Sequence, residues 1–219
     1  MVDAVILAGG KGSRMEDALP KALVEARGKP IVSWQIDYLS KFEEVDKIIL
    51  SLGYESGKVV DYVGQNYVSH NLDFAIEDEP LGTAGGMKKA LSKSVADFVV
   101  ALNCDDITDI FIPKLVWSTE NVLCVANPRL PYGRVVVEKG MVKKFEEKPL
   151  LDNVWVSCGW YYFDRHRVLD VLPNKGSLEY DVFPNIGLKA FEHRGFWRAL
   201  NSKKDLADFE KVDLPNSLL

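Results

Sequence analysis

Short, largely apolar segments alternate with amphipathic stretches through the first 120 residues. The apolar segments are typical of strands buried inside a parallel sheet, and they cover residues 4–7, 48–50, 72–76 and 98–102. Between them, apolar residues recur every three to four positions, which predicts helices, one of them beginning at Pro30. We therefore predict an α/β fold with a doubly wound, mostly parallel, Rossmann-like sheet, in which ligands bind beyond the carboxyl ends of the strands.

The pattern changes after about residue 120. Short β-like segments follow at 122–126, 134–138 and 142–146, with a turn at Lys139-Gly140, and a longer aromatic segment covers 154–163. Helices are predicted at 165–172, at 178–191 and from the N-cap Ser202 to about 212. We interpret residues 1–219 as a single domain, in which 121–219 add a mixed β subregion suited to a second substrate.

Composition places the chain among ordinary soluble globular proteins, with 47% hydrophobic and 27% charged residues in 219. The 27 Lys and Arg against 32 Asp and Glu give a net charge of −5 without a long basic run. This balance argues against a nucleic-acid partner.

Cysteine usage and the chain's start bear on the compartment. Cys104, Cys124 and Cys158 form no CxxC pair, and with three histidines they make no zinc quartet, so we expect buried, reduced thiols. No signal-peptide pattern and no apolar run of membrane-spanning length is present. We expect a cytoplasmic protein without a membrane partner.

A glycine-rich loop at 7–15 follows the first predicted strand directly. Its backbone amides are placed to face a phosphate, and the candidate residues are Leu7, Ala8, Gly9, Gly10, Lys11, Gly12 and Ser13. It is not a Walker A loop, because no Gly-Lys-Ser/Thr follows at the required spacing, and it is not a dinucleotide fingerprint, because Met15 stands where the third glycine belongs. The cations Lys11, Arg14 and Lys21 nearby suit a triphosphate.

Two further strand ends carry candidate chemistry. A second glycine-rich turn, residues 77–86, follows the third strand and opens a helix, so the two turns are placed to grip one nucleotide. The fourth strand ends in Asn103-Cys104-Asp105-Asp106, whose carboxylates are candidate ligands for Mg²⁺ beside substrate phosphates. Glu77 and Glu79 offer acceptors for two neighbouring N–H groups of guanine, a slight preference for GTP.

In order along the chain, five pieces together resemble the sugar-1-phosphate nucleotidyltransferase family. They are residues 7–15 with 20–23 and 28–30, then 79–85, 103–105, 147–149 and 177–184. The resemblance implies a nucleotide-diphospho-sugar transferase fold and the reaction of an NTP with a sugar 1-phosphate to an NDP-sugar and pyrophosphate. It also implies a nucleotide-binding half at 1–120 and a sugar-phosphate-binding half at 121–219.

The resemblance also implies roles for individual residues. Arg14 and Lys21 would hold the triphosphate, Asp105 would bind the metal, and Lys148 would hold the sugar phosphate. Gly159 and Glu179 would line the sugar site. The base would lie against the first loop and the second turn, where the further candidates are Glu77, Pro80, Gly82 and Thr83.

Two departures from the family pattern leave alternatives open. Cys104 replaces the usual glycine before Asp105, and Ala199 stands where the family has an aspartate, often a second metal ligand. Asn201 or Asp106 would supply the second ligand, or the chain is a silent, NDP-sugar-binding paralogue. The loop spacing also resembles cytidylyltransferases acting on methylerythritol or choline phosphates, and molybdenum-cofactor guanylyltransferases. The sugar and the oligomeric state stay open.

Overall fold

The computed structural model describes residues 1–12 and 19–219. The described strands are β1 (Val2–Leu7), β2 (Glu25–Ala26), β3 (Lys29–Pro30), β4 (Val45–Leu52), β5 (Leu72–Ile76), β6 (Phe98–Asn103), β7 (Asp106–Thr108), β8 (Val122–Ala126), β9 (Arg134–Glu138), β10 (Met141–Glu146), β11 (Val156–Asp164), β12 (Lys189–His193) and β13 (Trp197–Ala199). The described α-helices are α1 (Ile31–Leu39), α2 (Ser56–Asn66), α3 (Gly82–Leu91), α4 (Ile112–Leu115), α5 (Arg165–Leu169) and α6 (Lys203–Phe209).

A seven-stranded sheet in the order β12-β8-β11-β6-β1-β4-β5 forms the centre of the fold. β6, β1, β4 and β5 run parallel to one another, and β12 runs parallel to β8. β11 is antiparallel to both of its neighbours, β6 and β8. The predicted mostly parallel α/β sheet is confirmed, and strands from both halves of the chain share it.

Helices cover both faces of this sheet, as a doubly wound fold requires. Successive residues of β1 point to opposite faces: Ile6 belongs to one core with Ile36 of α1 and the buried side of α2. Val5 belongs to the other core, with Met87 of α3 and the buried side of α5. β1 is therefore apolar on both faces, which explains its continuous hydrophobic run.

The second half confirms the predicted β segments and corrects one helix. β8, the β9–β10 hairpin and β11 lie where the pattern placed them, and Ser202 caps α6 by accepting from the backbone N–H of Asp205. The predicted helix over 178–191 is wrong. A π-helical turn, Leu178–Val182, and a 3₁₀ turn, Phe183–Asn185, are followed by β12. Pro184 interrupts the helical ladder, and pairing with β8 overrides the local pattern.

β7 and β13 form a small sheet that places residues 197–201 beside the end of β6. Ala199 lies opposite Asp106 in this antiparallel pair, and the backbone N–H of Leu200 donates to the carbonyl of Asp105 at 2.8 Å. This pairing thereby fixes the position of Asn201, which follows β13.

Among the described helices, none has the length and apolar character needed to cross a membrane.

Candidate active site

A cavity of about 770 Å³ lies beyond the carboxyl ends of β1, β4, β5 and β6. The parallel arrangement brings these four ends to one edge of the sheet, as the sequence predicted. Most of the residues that the sequence assigned to the site line this cavity. They are Leu7, Ala8, Gly9, Gly10, Lys11, Lys21, Glu77, Glu79, Pro80, Gly82, Thr83, Asp105 and Glu179.

The first glycine turn is held against the end of β4. The backbone N–H of Ala8 donates to the backbone carbonyl of Ser51 at 2.8 Å, and the backbone N–H of Tyr54 donates to the backbone carbonyl of Gly9 at 3.2 Å. The Lys11 ammonium lies 5.3 Å from the centre of the Tyr54 ring, a cation–π contact at the cavity wall. Gly53 has no room for a Cβ, which would stand 2.9 Å from the Gly9 carbonyl oxygen.

The segment that continues the first turn is described only in part. Ser13 and Arg14 lie outside the described residues. Gly12 has φ +68°, and a Cβ there would stand 2.9 Å from Cβ of Lys21. Gly12 therefore lets the loop pass directly over Lys21, whose side chain enters the cavity.

Glu77 is the half-buried carboxylate of the second turn. Its backbone N–H donates to Leu52 at 2.7 Å, and its Oε2 accepts from the backbone N–H of Leu81 at 3.0 Å. A Cβ on Gly9 or Gly86 would stand 3.1 or 2.6 Å from Oε1. These glycines leave just enough space for the Glu77 carboxylate, so its place in the cavity wall is set by the backbone.

Glu179 reaches the cavity from the second half of the chain. Its Oε2 accepts from Ser177 Oγ at 2.5 Å and from Thr83 Oγ1 at 3.3 Å. Thr83 Oγ1 in turn accepts from the backbone N–H of Leu178 at 2.9 Å. Thr83 thereby ties the second glycine turn to the segment that carries Glu179.

Lys21, Asp105 and Asn201 form one polar cluster. The Lys21 ammonium donates to Asp105 Oδ2 in a short ion pair, and to Asn201 Oδ1 at 3.0 Å. The side chains of Lys21 and Asp105 are 18% and 19% exposed. Two oxygens from distant parts of the chain therefore converge on one cation at the end of β6.

Asp106, also a predicted metal ligand, does not line the cavity. It is buried, with Oδ1 accepting from Trp197 Nε1 at 2.8 Å and Oδ2 from Asn103 Nδ2 at 3.1 Å. Burial, followed by the charge of Asp105, raises its pKa to about 7. Gly159, with φ +72°, packs directly on this carboxylate, since a Cβ there would stand 1.9 Å from Oδ2. Gly159 therefore packs against the Asp106 carboxylate and does not line the cavity.

Lys148 is not among the residues that line the cavity. It follows β10 with φ +44°, in a segment joined to residues 128–130 by backbone hydrogen bonds from Leu130 to Pro149 and from Leu151 to Pro128. Sequence reasoning also missed Ser51, Gly53 and Tyr54, which line the cavity at the end of β4. A glycine directly after a buried strand, as at Gly53, is the signal that marks this third turn. The three cysteines are free and buried, as predicted.

Comparison with known proteins gives matches over both halves of the chain. The family model of the MobA-like NTP transferase domain matches residues 4–117. D-glycero-alpha-D-manno-heptose 1-phosphate guanylyltransferase of Aneurinibacillus thermoaerophilus is 32% identical over 157 residues, 67% of this chain and 68% of that protein. Probable glucose-1-phosphate cytidylyltransferase of Bacillus subtilis is 28% identical over 244 residues, with 95% of each chain covered.

A solved structure agrees over almost the whole length. The crystal structure of HddC from Yersinia pseudotuberculosis complexed with GMP-PN is 29% identical, covers 96% of this chain and 99% of that chain, and superposes with a TM-score of 0.77. This structural likeness, the family model and the relatives' names agree with one another. The cavity also lies where such a fold binds its ligands, beyond the carboxyl ends of parallel strands. The chain belongs to the MobA-like NTP transferase domain family and, within it, to the sugar-1-phosphate nucleotidyltransferases.

Proposed function

We propose that this chain is an active, Mg²⁺-assisted nucleotidyltransferase that joins the nucleotidyl group of GTP to a sugar 1-phosphate and releases pyrophosphate. The observation that supports this proposal is the convergence of Lys21, Asp105 and Asn201 at the end of β6, where Lys21 and Asp105 line a cavity walled by two glycine turns. Two polyanions must approach each other in this reaction, so charge neutralisation and alignment provide the catalysis.

The triphosphate lies over the first glycine turn, which offers backbone N–H groups at the end of a strand. Lys21 and Lys11 contribute cations from the cavity wall, and Arg14 contributes a guanidinium. An oxygen of the sugar phosphate attacks the α-phosphorus as the bond from that phosphorus to the pyrophosphate oxygen breaks. No general base is required, because the attacking phosphate is already ionised at neutral pH.

The residues present fit a magnesium ion at Asp105. Asp105 and Asn201 already direct one carboxylate and one amide oxygen at a single cation, the Lys21 ammonium. Mg²⁺ takes one or two protein ligands and completes its shell with phosphates and water, so these two oxygens are sufficient. When bound, Mg²⁺ neutralises charge on the triphosphate and aligns it.

Asn201 supplies the oxygen that Ala199 lacks. Ala199 pairs with Asp106, whereas Asn201 reaches the Lys21 ammonium beside Asp105. Asp106 is committed to Trp197 and Asn103, so we assign it a supporting role. The silent-paralogue alternative rests on Ala199, and the presence of Asn201 at the same cluster favours an active enzyme.

Glu77 is the residue we assign to the base. Its carboxylate stands in the cavity wall and keeps acceptor positions beyond the one used by Leu81. Guanine presents two adjacent N–H donors to such a carboxylate, whereas uracil presents one. Glu79 also lines the cavity, but its carboxylate is exposed and accepts from the Lys175 ammonium at 3.4 Å, so we assign it to the rim of the cavity and assign the base to Glu77. The relative named as a guanylyltransferase and the solved structure complexed with GMP-PN support guanine as the base. The relative named as a cytidylyltransferase supports cytosine instead.

Pyrophosphate release measured for a matrix of five NTPs against heptose, mannose, glucose and N-acetylated sugar 1-phosphates tests the proposal. We expect activity with GTP, and none after Mg²⁺ is removed with a chelator. Glu77→Gln should raise KM for GTP by about 10- to 100-fold, because it weakens hydrogen bonds to a charged acceptor. Glu79→Gln, the matched change at the exposed rim, should have a much smaller effect on KM for GTP. No activity in any cell of the matrix contradicts the proposal, and equal effects of both variants contradict the base assignment.

A further inference from the structure

The β9–β10 hairpin carries an exposed apolar surface away from the cavity. Every residue of β9 is exposed, and so is all of β10 except Glu146. Val137, Met141, Val142 and Phe145 are each between 61% and 65% exposed. An isolated two-stranded ribbon is marginally stable in water, and three or more strands with an apolar face are needed for independent stability.

The hairpin's register separates its two faces. Val135 lies opposite Phe145 and Val137 opposite Val142, so one face of the ribbon is apolar. The other face carries charge, with the Arg134 guanidinium 2.9 Å from Glu146. Exposed apolar patches of this kind mark interaction sites.

The outer edge of β9 is unpaired. Among the residues that the structure describes, β9 pairs with β10 alone, and no other backbone hydrogen bond reaches 134–138. An open edge of this kind is a template for another strand.

The sequence of β9, Arg-Val-Val-Val-Glu, is complementary to itself in the antiparallel direction. Pairing about Val136 places Arg134 opposite the partner's Glu138, and by symmetry Glu138 opposite the partner's Arg134. Opposite charges directly across an antiparallel pair stabilise it. The same operation about the centre of β10 would place Lys143 against the partner's Lys144, so charge selects β9.

We propose that β9 is the homodimer interface of this protein, pairing antiparallel about Val136 with β9 of a second copy of the chain. The two hairpins then form one four-stranded sheet with a continuous apolar face made by Val135, Val137, Val142 and Phe145 of each copy. The contact is isologous, as the two-fold symmetry of a closed dimer requires. It involves no residue assigned to the reaction, so it stands or falls separately from the proposed function.

Cysteine cross-linking tests the register. Val136→Cys places two thiols opposite each other with Cβ atoms about 4.5–5.5 Å apart, near the span of a disulfide. Mild oxidation should give a covalent dimer on a non-reducing gel. Val137→Cys, the matched control, faces the partner's Val135 and should stay monomeric on the gel. The native cysteines are buried and should not contribute.

Light scattering during gel filtration tests the charges. The native chain should elute with twice its 24.6 kDa mass. Glu138→Arg and Arg134→Glu should each weaken the dimer by about tenfold, because each places two pairs of like charges across the interface. A mixture of the two variants should form heterodimers, in which every such pair is again of opposite charge. Lys139→Glu, in the turn, should remain dimeric. A monomeric native chain, a mixture that fails to reassemble, or equal cross-linking at 136 and 137 overturns the proposal.

Discussion

The two halves of the chain contribute to the cavity in different ways. The first half supplies adjacent ends of parallel strands, tied together by backbone hydrogen bonds such as Ala8 to Ser51 and Glu77 to Leu52. The second half supplies single residues: Glu179 lines the cavity, and Asn201 contacts Lys21 beside Asp105, each held by a segment from elsewhere in the fold. The strand-end wall, which we call the nucleotide side after its proposed ligand, is therefore built by topology, whereas the second half contributes by long-range packing.

This difference has consequences for substitutions. A change at a strand end alters a group in the cavity while the sheet behind it stays intact, so the chemistry should suffer before stability does. A change in the second half acts through supports such as Gly159 and Ser177, so stability or one substrate's KM should respond first. Four experiments, ordered from the largest expected effect to the smallest, test the comparison.

Asp105→Asn should lower kcat by about a thousandfold, equivalent to about 4 kcal/mol, because a preorganised charge at the reacting phosphates is lost. Pyrophosphate release under saturating substrates and a urea melt measure the two quantities. Asp46→Asn, an exposed residue of the same strand layer at the opposite end of the sheet, is the control. Turnover near the native value in a folded Asp105→Asn protein contradicts the metal assignment.

Gly159→Ala should lower the free energy of unfolding by about 3 kcal/mol, because it combines a positive φ with overlap onto the Asp106 carboxylate. Gly140→Ala has a similar φ of +77° but open space around the new Cβ, so about 1 kcal/mol is expected there. Urea unfolding compares the pair. Equal losses would show that backbone strain alone acts at Gly159, without the packing on Asp106.

Lys148 lies outside the cavity, and the family resemblance assigns it to the sugar phosphate. On that assignment, Lys148→Ala should raise KM for the sugar 1-phosphate by about tenfold and leave NTP affinity unchanged, as expected for a single charge contact of about 1.4 kcal/mol. Kinetics gives KM, and calorimetry gives the NTP affinity. The exposed Lys211→Ala is the control for loss of one surface charge. A loss of NTP affinity would move Lys148 to the nucleotide side, and no effect at all would remove it from the site.

Ala199→Asp should leave turnover at saturating Mg²⁺ unchanged and lower the Mg²⁺ concentration required. Asp105, Asn201 and substrate phosphates already suffice for an ion that keeps several waters, so a further carboxylate adjusts affinity only. A Mg²⁺ titration of pyrophosphate release measures this. Activity that appears only in the Ala199→Asp protein would instead support the silent-paralogue alternative.

Most of the nucleotide side was predictable from sequence because the signals there are local. Buried parallel strands appear as apolar runs, and their carboxyl ends meet at one edge, so Gly9, Glu77 and Asp105 were placed together before any contact was known. The turn after β4 was missed, since Gly53 is a single glycine without the adjacent glycines that mark the other two turns.

Tertiary structure decided the second half. The apolar spacing over 178–191 is compatible with a helix, but Pro184 and pairing of β12 with β8 produce turns and a strand instead. No local pattern shows that Asn201 meets Asp105, because β13 must first pair with β7. Local periodicity and strand-end chemistry, carried by the sequence itself, determined the sheet and the nucleotide side. Contacts between residues far apart in the chain, which depend on packing free energy, decided which carboxylate faces the cavity and which one supports it.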